Sequence, residues 1–140
     1  MASRSRARQF AIQILYQIEF SGYDTERVFE LFFEGQESDP KTADFAKDLV
    51  EGILDKAPQL DLEINEYLRG WTLERISRLD HLVLRLAVYE LMEQPNLPWK
   101  VIVDEAVNLA QMFSGQSSAS FVNGLLHAWC EANRSGEKES

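Results

Sequence analysis

The chain has 140 residues, 45% of them hydrophobic and 26% charged, with a net charge of −9. That is one domain's worth of sequence, long enough to hide about 68–70% of its unfolded surface without disulfide staples. One cysteine (Cys130) excludes an internal disulfide, no apolar run reaches the roughly 20 residues that span a bilayer, and no apolar stretch marks a secretory signal, so a cytoplasmic, non-membrane protein is expected.

The elements read as helices throughout, with no period-2 run bounded by hairpin turns. Ser3 is a good N-cap for a first helix whose Phe10, Ala11, Ile14, Leu15 and Ile18 form one apolar stripe ending at Gly22. A second helix is expected from about Thr25 to Glu34, with Val28, Leu31 and Phe32 inward. Asp39-Pro40 opens a third, carrying Phe45, Ala46, Leu49, Val50, Ile53 and Leu54. Pro58 interrupts it, and a fourth carries Leu60, Ile64 and Leu68 up to Gly70. Thr72 caps the next segment, in which Leu82 to Leu91 is apolar nearly all round, as a central helix is. Pro95 and Pro98 bracket a loop before a helix from Val101 to Phe113. Ser114 to Ser120 reads as a loop and cap, placing Phe121 in the first turn of the last helix, where free amides favour phosphate.

The expected fold class is therefore all-α: about seven helices in two subdomains, 1–70 and 71–134, packed as one compact domain, with a disordered tail at 135–140.

The charge is unevenly spread. Met1 to Ile18 holds three arginines (Arg4, Arg6 and Arg8) and no acid. Glu19 to Glu66 holds 14 acids against 4 bases, and Tyr67 to Arg134 holds 7 against 6. A basic tip on an anion-repelling body suggests one basic contact surface. Enzyme chemistry finds no support. His81 and His127 are far apart, no Cys/His spacing suits zinc, and Gly70, Gly115 and Gly124 are isolated rather than a phosphate loop. Asp104 and Glu105 are sequence neighbours and point to different sides of a helix. Neither a metal nor a cofactor is expected.

Some residues do not fit a pure core. Arg6, Gln9, Gln13 and Tyr16 share one face of the first helix, opposite the Phe10/Ile14 stripe. A tyrosine beside arginines there is either a stacking platform for an unpaired base or a packing contact with the second half. Arg85 and Glu90 lie in the most apolar helix, and buried charges must be paired. An Arg85–Glu105 bridge is the structural expectation; the functional one has Arg85 or Asp80 lining a contact surface. Phe121 either stacks on a base or caps the core. Gly124 inside a helix suggests close approach of a neighbour.

Four runs together resemble the NusB family of bacterial transcription antitermination factors. They are Arg6-Ala7-Arg8-Gln9-Phe10-Ala11-Ile12-Gln13-Ile14-Leu15-Tyr16; Leu84-Arg85-Leu86-Ala87-Val88-Tyr89-Glu90-Leu91; Asp104-Glu105-Ala106-Val107-Asn108-Leu109-Ala110; and Ser120-Phe121-Val122-Asn123-Gly124-Leu125-Leu126. The match runs from about Arg4 to His127. The resemblance implies a non-enzymatic, all-helical fold that binds single-stranded boxA-type RNA of ribosomal operons. It implies binding together with NusE, a protein of the small ribosomal subunit, and read-through by the transcription elongation complex. Some family members form homodimers. Carried over residue by residue, the RNA surface would use Arg4, Arg6, Arg8, Gln13, Tyr16 and Phe121, with Ser118 beside it. Glu74 and Asp80 would lie closer to the protein partner. Here serine and alanine alternate with the arginines, a thinner run than many members carry. Three phosphate contacts give a salt slope of only about −2 on a single strand, which raises the importance of a linked second surface. The alternative is an adaptor of the same fold that does not touch RNA. A ribosomal RNA methyltransferase, in which such a domain is fused to a catalytic one, would need a cofactor-binding sheet that this length leaves no room for.

Overall fold

The Ser3 hydroxyl accepts the Arg6 amide and starts helix α1, Arg4–Ser21. Gly22 stops it with φ +75, the left-handed conformation that glycine adopts without a Cβ penalty. Residues 3–134 are described by the structure, a computed structural model; the tail expected at 135–140 lies outside them. Five further helices follow: α2 (Thr25–Glu34), α3 (Pro40–Asn65), α4 (Arg78–Glu93), α5 (Trp99–Ser114) and α6 (Gln116–Asn133). Among the described residues there is no strand.

Six helices stand where about seven were expected, because Pro58 does not end α3. Proline has no N–H to bond the carbonyl four residues back, at a cost of about 3 kcal/mol in a helix interior. The apolar stripe nonetheless continues in phase through it: Ala46, Val50, Ile53, Leu60 and Ile64 are all buried. Burial of that continuous face outweighs the missing bond. In α2 the inward residues are Val28, Phe29 and Phe32, whereas Leu31 is exposed. Phe10 of α1 meets Phe32 and Phe33 edge-on at 5.3 and 5.9 Å.

Two other helix starts differ from expectation. Thr72 makes only a turn, its carbonyl accepting the amides of Arg75 and Ile76. The cap of α4 is Ser77, whose hydroxyl accepts the Asp80 amide. The serines expected in a loop are helical, because Gly115 alone makes the corner. Its φ of +106 suits glycine, its amide is bonded to the carbonyls of Ala110 and Gln111 at the end of α5, and its carbonyl accepts the Ala119 amide at the start of α6.

The chain divides into two compact units, Met1–Asp55 and Lys56–Ser140. In the first, the Ser3 amide donates to Oγ1 of buried Thr42 at 2.9 Å, tying α1 to α3. In the second, α4, α5 and α6 pack on one another. A polar cluster joins the last turns of α3 to α4. Arg85 donates from Nε and Nη2 to both oxygens of Asp61, at 2.8 and 2.7 Å, and His81 Nε2 lies 2.7 Å from Asp61 Oδ1. Arg85 is thus ion-paired as expected, but the carboxylate in this two-pronged contact is Asp61; Glu105 sits half-buried on α5. Burial alone would raise the Asp61 carboxyl, yet the bonds from Arg85 and His81, with their charges, hold it below the ordinary carboxylate value. Trp129 Nε1 donates to Glu63 at 2.9 Å, and Arg134 Nη2 donates to the carbonyls of Pro95 and Leu97, securing the loop between α4 and α5.

Gly124 does not mediate a close approach: an added Cβ would meet nothing within 4 Å. Gly124→Ala is therefore expected to stabilise the protein by about 0.5–1 kcal/mol through helix propensity. A thermal melt checks this, and a lower midpoint than wild type would contradict it.

Candidate nucleic-acid interface

The first unit presents the α1 face anticipated from its spacing. Arg4 and Arg6 are exposed, and each guanidinium rests 4.9 Å from an aromatic centroid, Arg4 over Phe45 and Arg6 over Phe10. Such stacking holds the charge in place while leaving its N–H donors outward. Gln9 and Gln13 are half-buried next along the face. Tyr16 is 39% exposed and lies against Phe20, ring centroids 4.6 Å apart. Phe20 is itself 63% exposed. It was not singled out from the sequence, although its place four residues after Tyr16 puts it on the same face. Arg8 differs from its neighbours. It is only 6% exposed, so in this structure its guanidinium is not offered to a phosphate. Arg8 lies three and four residues before Ala11 and Ile12, which are fully buried, and turns inward on the same face as they do.

The second unit brings Ser118, Phe121 and Asp80 together around one hollow of about 280 Å³, with Trp71, Arg75 and Ser117. Phe121 is in the second turn of α6, since that helix begins at Gln116, so its own amide is not one of the free donors at the helix start. Ser118 occupies that first turn. A larger hollow of about 490 Å³ lies on the other flank of the same two aromatics, where Trp71 and Phe121 are joined by Tyr67, Arg69, Gly124 and His127. Trp71 is 54% exposed, and Arg69 and Arg75 are exposed on either side of it in the chain. An exposed tryptophan flanked by arginines is a stacking and phosphate-binding combination. The signal was present in Gly70-Trp71, but taking Thr72 as a helix start hid it. Of the two acids expected toward a protein partner, Glu74 is exposed and Asp80 is buried within the smaller hollow.

The predicted residues thus fall into two groups: Arg4, Arg6, Gln13 and Tyr16 in the first unit, and Ser118, Phe121 and Asp80 in the second. Among the described residues no cluster of three His, Cys, Asp or Glu side chains could hold a metal ion. Nor is any helix of the described residues long and apolar enough to cross a membrane.

The sequence matches the NusB family over residues 5–130. The chain belongs to that family. Transcription antitermination protein NusB of Myxococcus xanthus (strain DK1622) is 38% identical over 130 residues, covering 90% of this chain and 93% of that protein. The crystal form of T. maritima NusB superposes with a TM-score of 0.82 at 33% identity, covering 94% of this chain and 93% of that one. A NusB chain solved as the antitermination factors NusB and NusE in complex with dsRNA has a TM-score of 0.82 at 25% identity, covering 92% and 96%. All-helical NusB architecture is therefore the fold of this chain.

Proposed function

We propose that this protein is a cytoplasmic, non-enzymatic RNA-binding transcription antitermination factor. It binds boxA-type RNA of ribosomal operons together with NusE and promotes read-through by the elongation complex. The observation that carries the reading is the α1 face, where two aromatic-stacked arginines lead to the exposed Tyr16–Phe20 pair in a stretch without an acid before Glu19. Membership of the NusB family and likeness to a NusB–NusE–RNA complex support it. The arginines hold the backbone, the aromatics take unpaired bases, and exposed Glu74 is offered to the protein partner.

With Arg8 buried, Arg4 and Arg6 are the α1 arginines left to meet phosphate. Two contacts at about 0.7 each give a salt slope near −1.4 on a single strand. Binding by the chain alone is accordingly weak, and NusE supplies the linked second surface. Fluorescence anisotropy of a boxA-type RNA across a salt series checks both points. A shallow slope alone and at least tenfold tighter binding with NusE are expected; equal affinity with and without NusE would contradict the partner's role.

The adaptor reading has its own support in the net charge of −9. It differs in its outcome: Arg4, Arg6 and Tyr16 changed together to alanine would leave complex formation in the presence of RNA unaltered.

A further inference from the structure

Arg4 and Arg6 are not the only cations seated on aromatic faces in the first unit. Lys47 of α3 has its ammonium 5.5 Å from the Phe33 ring centroid and 5.9 Å from that of Phe29. The rings beneath these cations are continuous. Arg6 rests on Phe10 at 4.9 Å, and Phe10 meets Phe33 edge-on at 5.9 Å. Arg4 rests on Phe45, two residues before Lys47 on α3, and the bond from the Ser3 amide to Thr42 Oγ1 fixes the start of α1 against that same helix. Three cations are thus gathered around the aromatic side chains of one unit, two from α1 and one from α3.

Their charges are not used up within the protein. Arg27 is ion-paired with Glu30, and Arg8 is buried. Among the described residues, none of Arg4, Arg6 and Lys47 is ion-paired with a carboxylate. Lys47 has exposed acids at pairing distance along α3, Asp44 three residues before it and Glu51 four after, yet its ammonium lies over the rings. A ring face attracts a cation through its quadrupole and does not neutralise it.

We propose that Lys47 is a phosphate-binding residue, so that an RNA backbone passes from the α1 arginines onto α3; the proposal rests on the RNA-binding reading above. Burial of Arg8 leaves the basic run one contact short, and Lys47 supplies that contact from a second helix. Seating on the rings restricts the long side chain before phosphate arrives, which lowers the ordering cost of the contact. An ammonium is a point charge with rotatable donors, suited to a phosphate. Exposed Asp44, Asp48 and Glu51 repel phosphate elsewhere on α3, so the strand crosses that helix at Lys47 and does not run along it. A backbone contact carries no sequence information, so Lys47 strengthens boxA-type and scrambled strands alike.

Arg4 and Arg6 give a salt slope near −1.4, and a third contact takes it to about −2.1. Anisotropy across a salt series tests this on wild type, Lys47→Met, Lys47→Arg and, as a control for net charge, Lys100→Gln, an exposed position on α5. Methionine keeps an apolar stem over the rings and removes the charge; circular dichroism checks folding. Lys47→Met is expected to make the slope shallower by about 0.7 and to weaken binding about fivefold at about 0.1 M salt, for both strands. Lys47→Arg and Lys100→Gln should stay within twofold of wild type. Reductive methylation of wild type, read by mass spectrometry, needs no variant: boxA-type RNA should protect Lys47 at least threefold more than Lys100. Unchanged slope and affinity in a folded Lys47→Met, or no protection of Lys47 should that variant fail to fold, overturns the proposal and leaves the RNA-binding reading standing. An equal loss in Lys100→Gln overturns it in favour of a general charge effect. A loss seen only with NusE, at an unchanged slope for the chain alone, overturns it and assigns Lys47 to the protein partner. Failure of wild type to bind boxA-type RNA, with or without NusE, overturns both readings.

Discussion

Asp61→Ala is expected to destabilise the protein by about 2–4 kcal/mol, measured as a loss of denaturation free energy. The carboxylate takes two bonds from Arg85 and one from His81, and the three side chains are 23%, 17% and 7% exposed. Removing it leaves a cation and an imidazole N–H desolvated between α3 and α4, and that residual cost is what makes the effect large. The cluster is partly solvated, which places the expected value below that of a fully buried pair. Asp61→Asn should cost less, because the amide oxygen still accepts one bond.

The same residue makes stability depend on acid in a defined direction. Its carboxyl is held below the ordinary value of 3.8 in the folded protein. The unfolded chain therefore binds that proton more readily. The stabilising contribution is complete above about pH 4 and is lost as pH falls through the lowered folded value. In Asp61→Asn this part of the acid limb should flatten. A limb as steep as wild type would show that other carboxylates carry it.

The second large effect concerns RNA. Tyr16→Ala and Phe121→Ala are each expected to weaken binding of boxA-type RNA by about 1–3 kcal/mol, roughly 5- to 150-fold, the worth of one base–aromatic stack. Tyr16→Phe should retain most of the affinity, since a ring and not a hydroxyl is used. Tyr16 is an exposed residue and Phe121 a half-buried one, so circular dichroism should change little in the first variant, and Phe121→Leu controls for packing in the second. Affinity unchanged in both alanine variants would remove the aromatics from the interface.

Most of the architecture was legible in the sequence because apolar spacing and caps agreed with the packing: Ser3, Gly22 and the all-round apolar run of α4 stand where their chemistry requires. What misled was reliance on single residues. Pro58 looked like a stop, yet the stripe through Ile53, Leu60 and Ile64 kept its phase across it. Serine-rich 114–120 looked like a loop, yet one glycine at φ +106 was enough for the turn. The contact of Arg85 with Asp61 is a pairing over 24 residues that no local pattern announces. At the candidate site, Arg6 and Tyr16 followed from helical spacing. Whether Arg8 faces outward depends on packing around Ala7 and Ala11, and the gathering of Trp71, Asp80 and Phe121 depends on how α6 returns beside α4; neither is written in local sequence.

The most direct measurement is the discrimination of RNA sequence in the presence of NusE. Anisotropy titrations of a boxA-type RNA and a scrambled strand of the same length and composition should differ in affinity by at least tenfold. Equal affinity for the two strands would contradict the assignment of this chain as a boxA-reading antitermination factor.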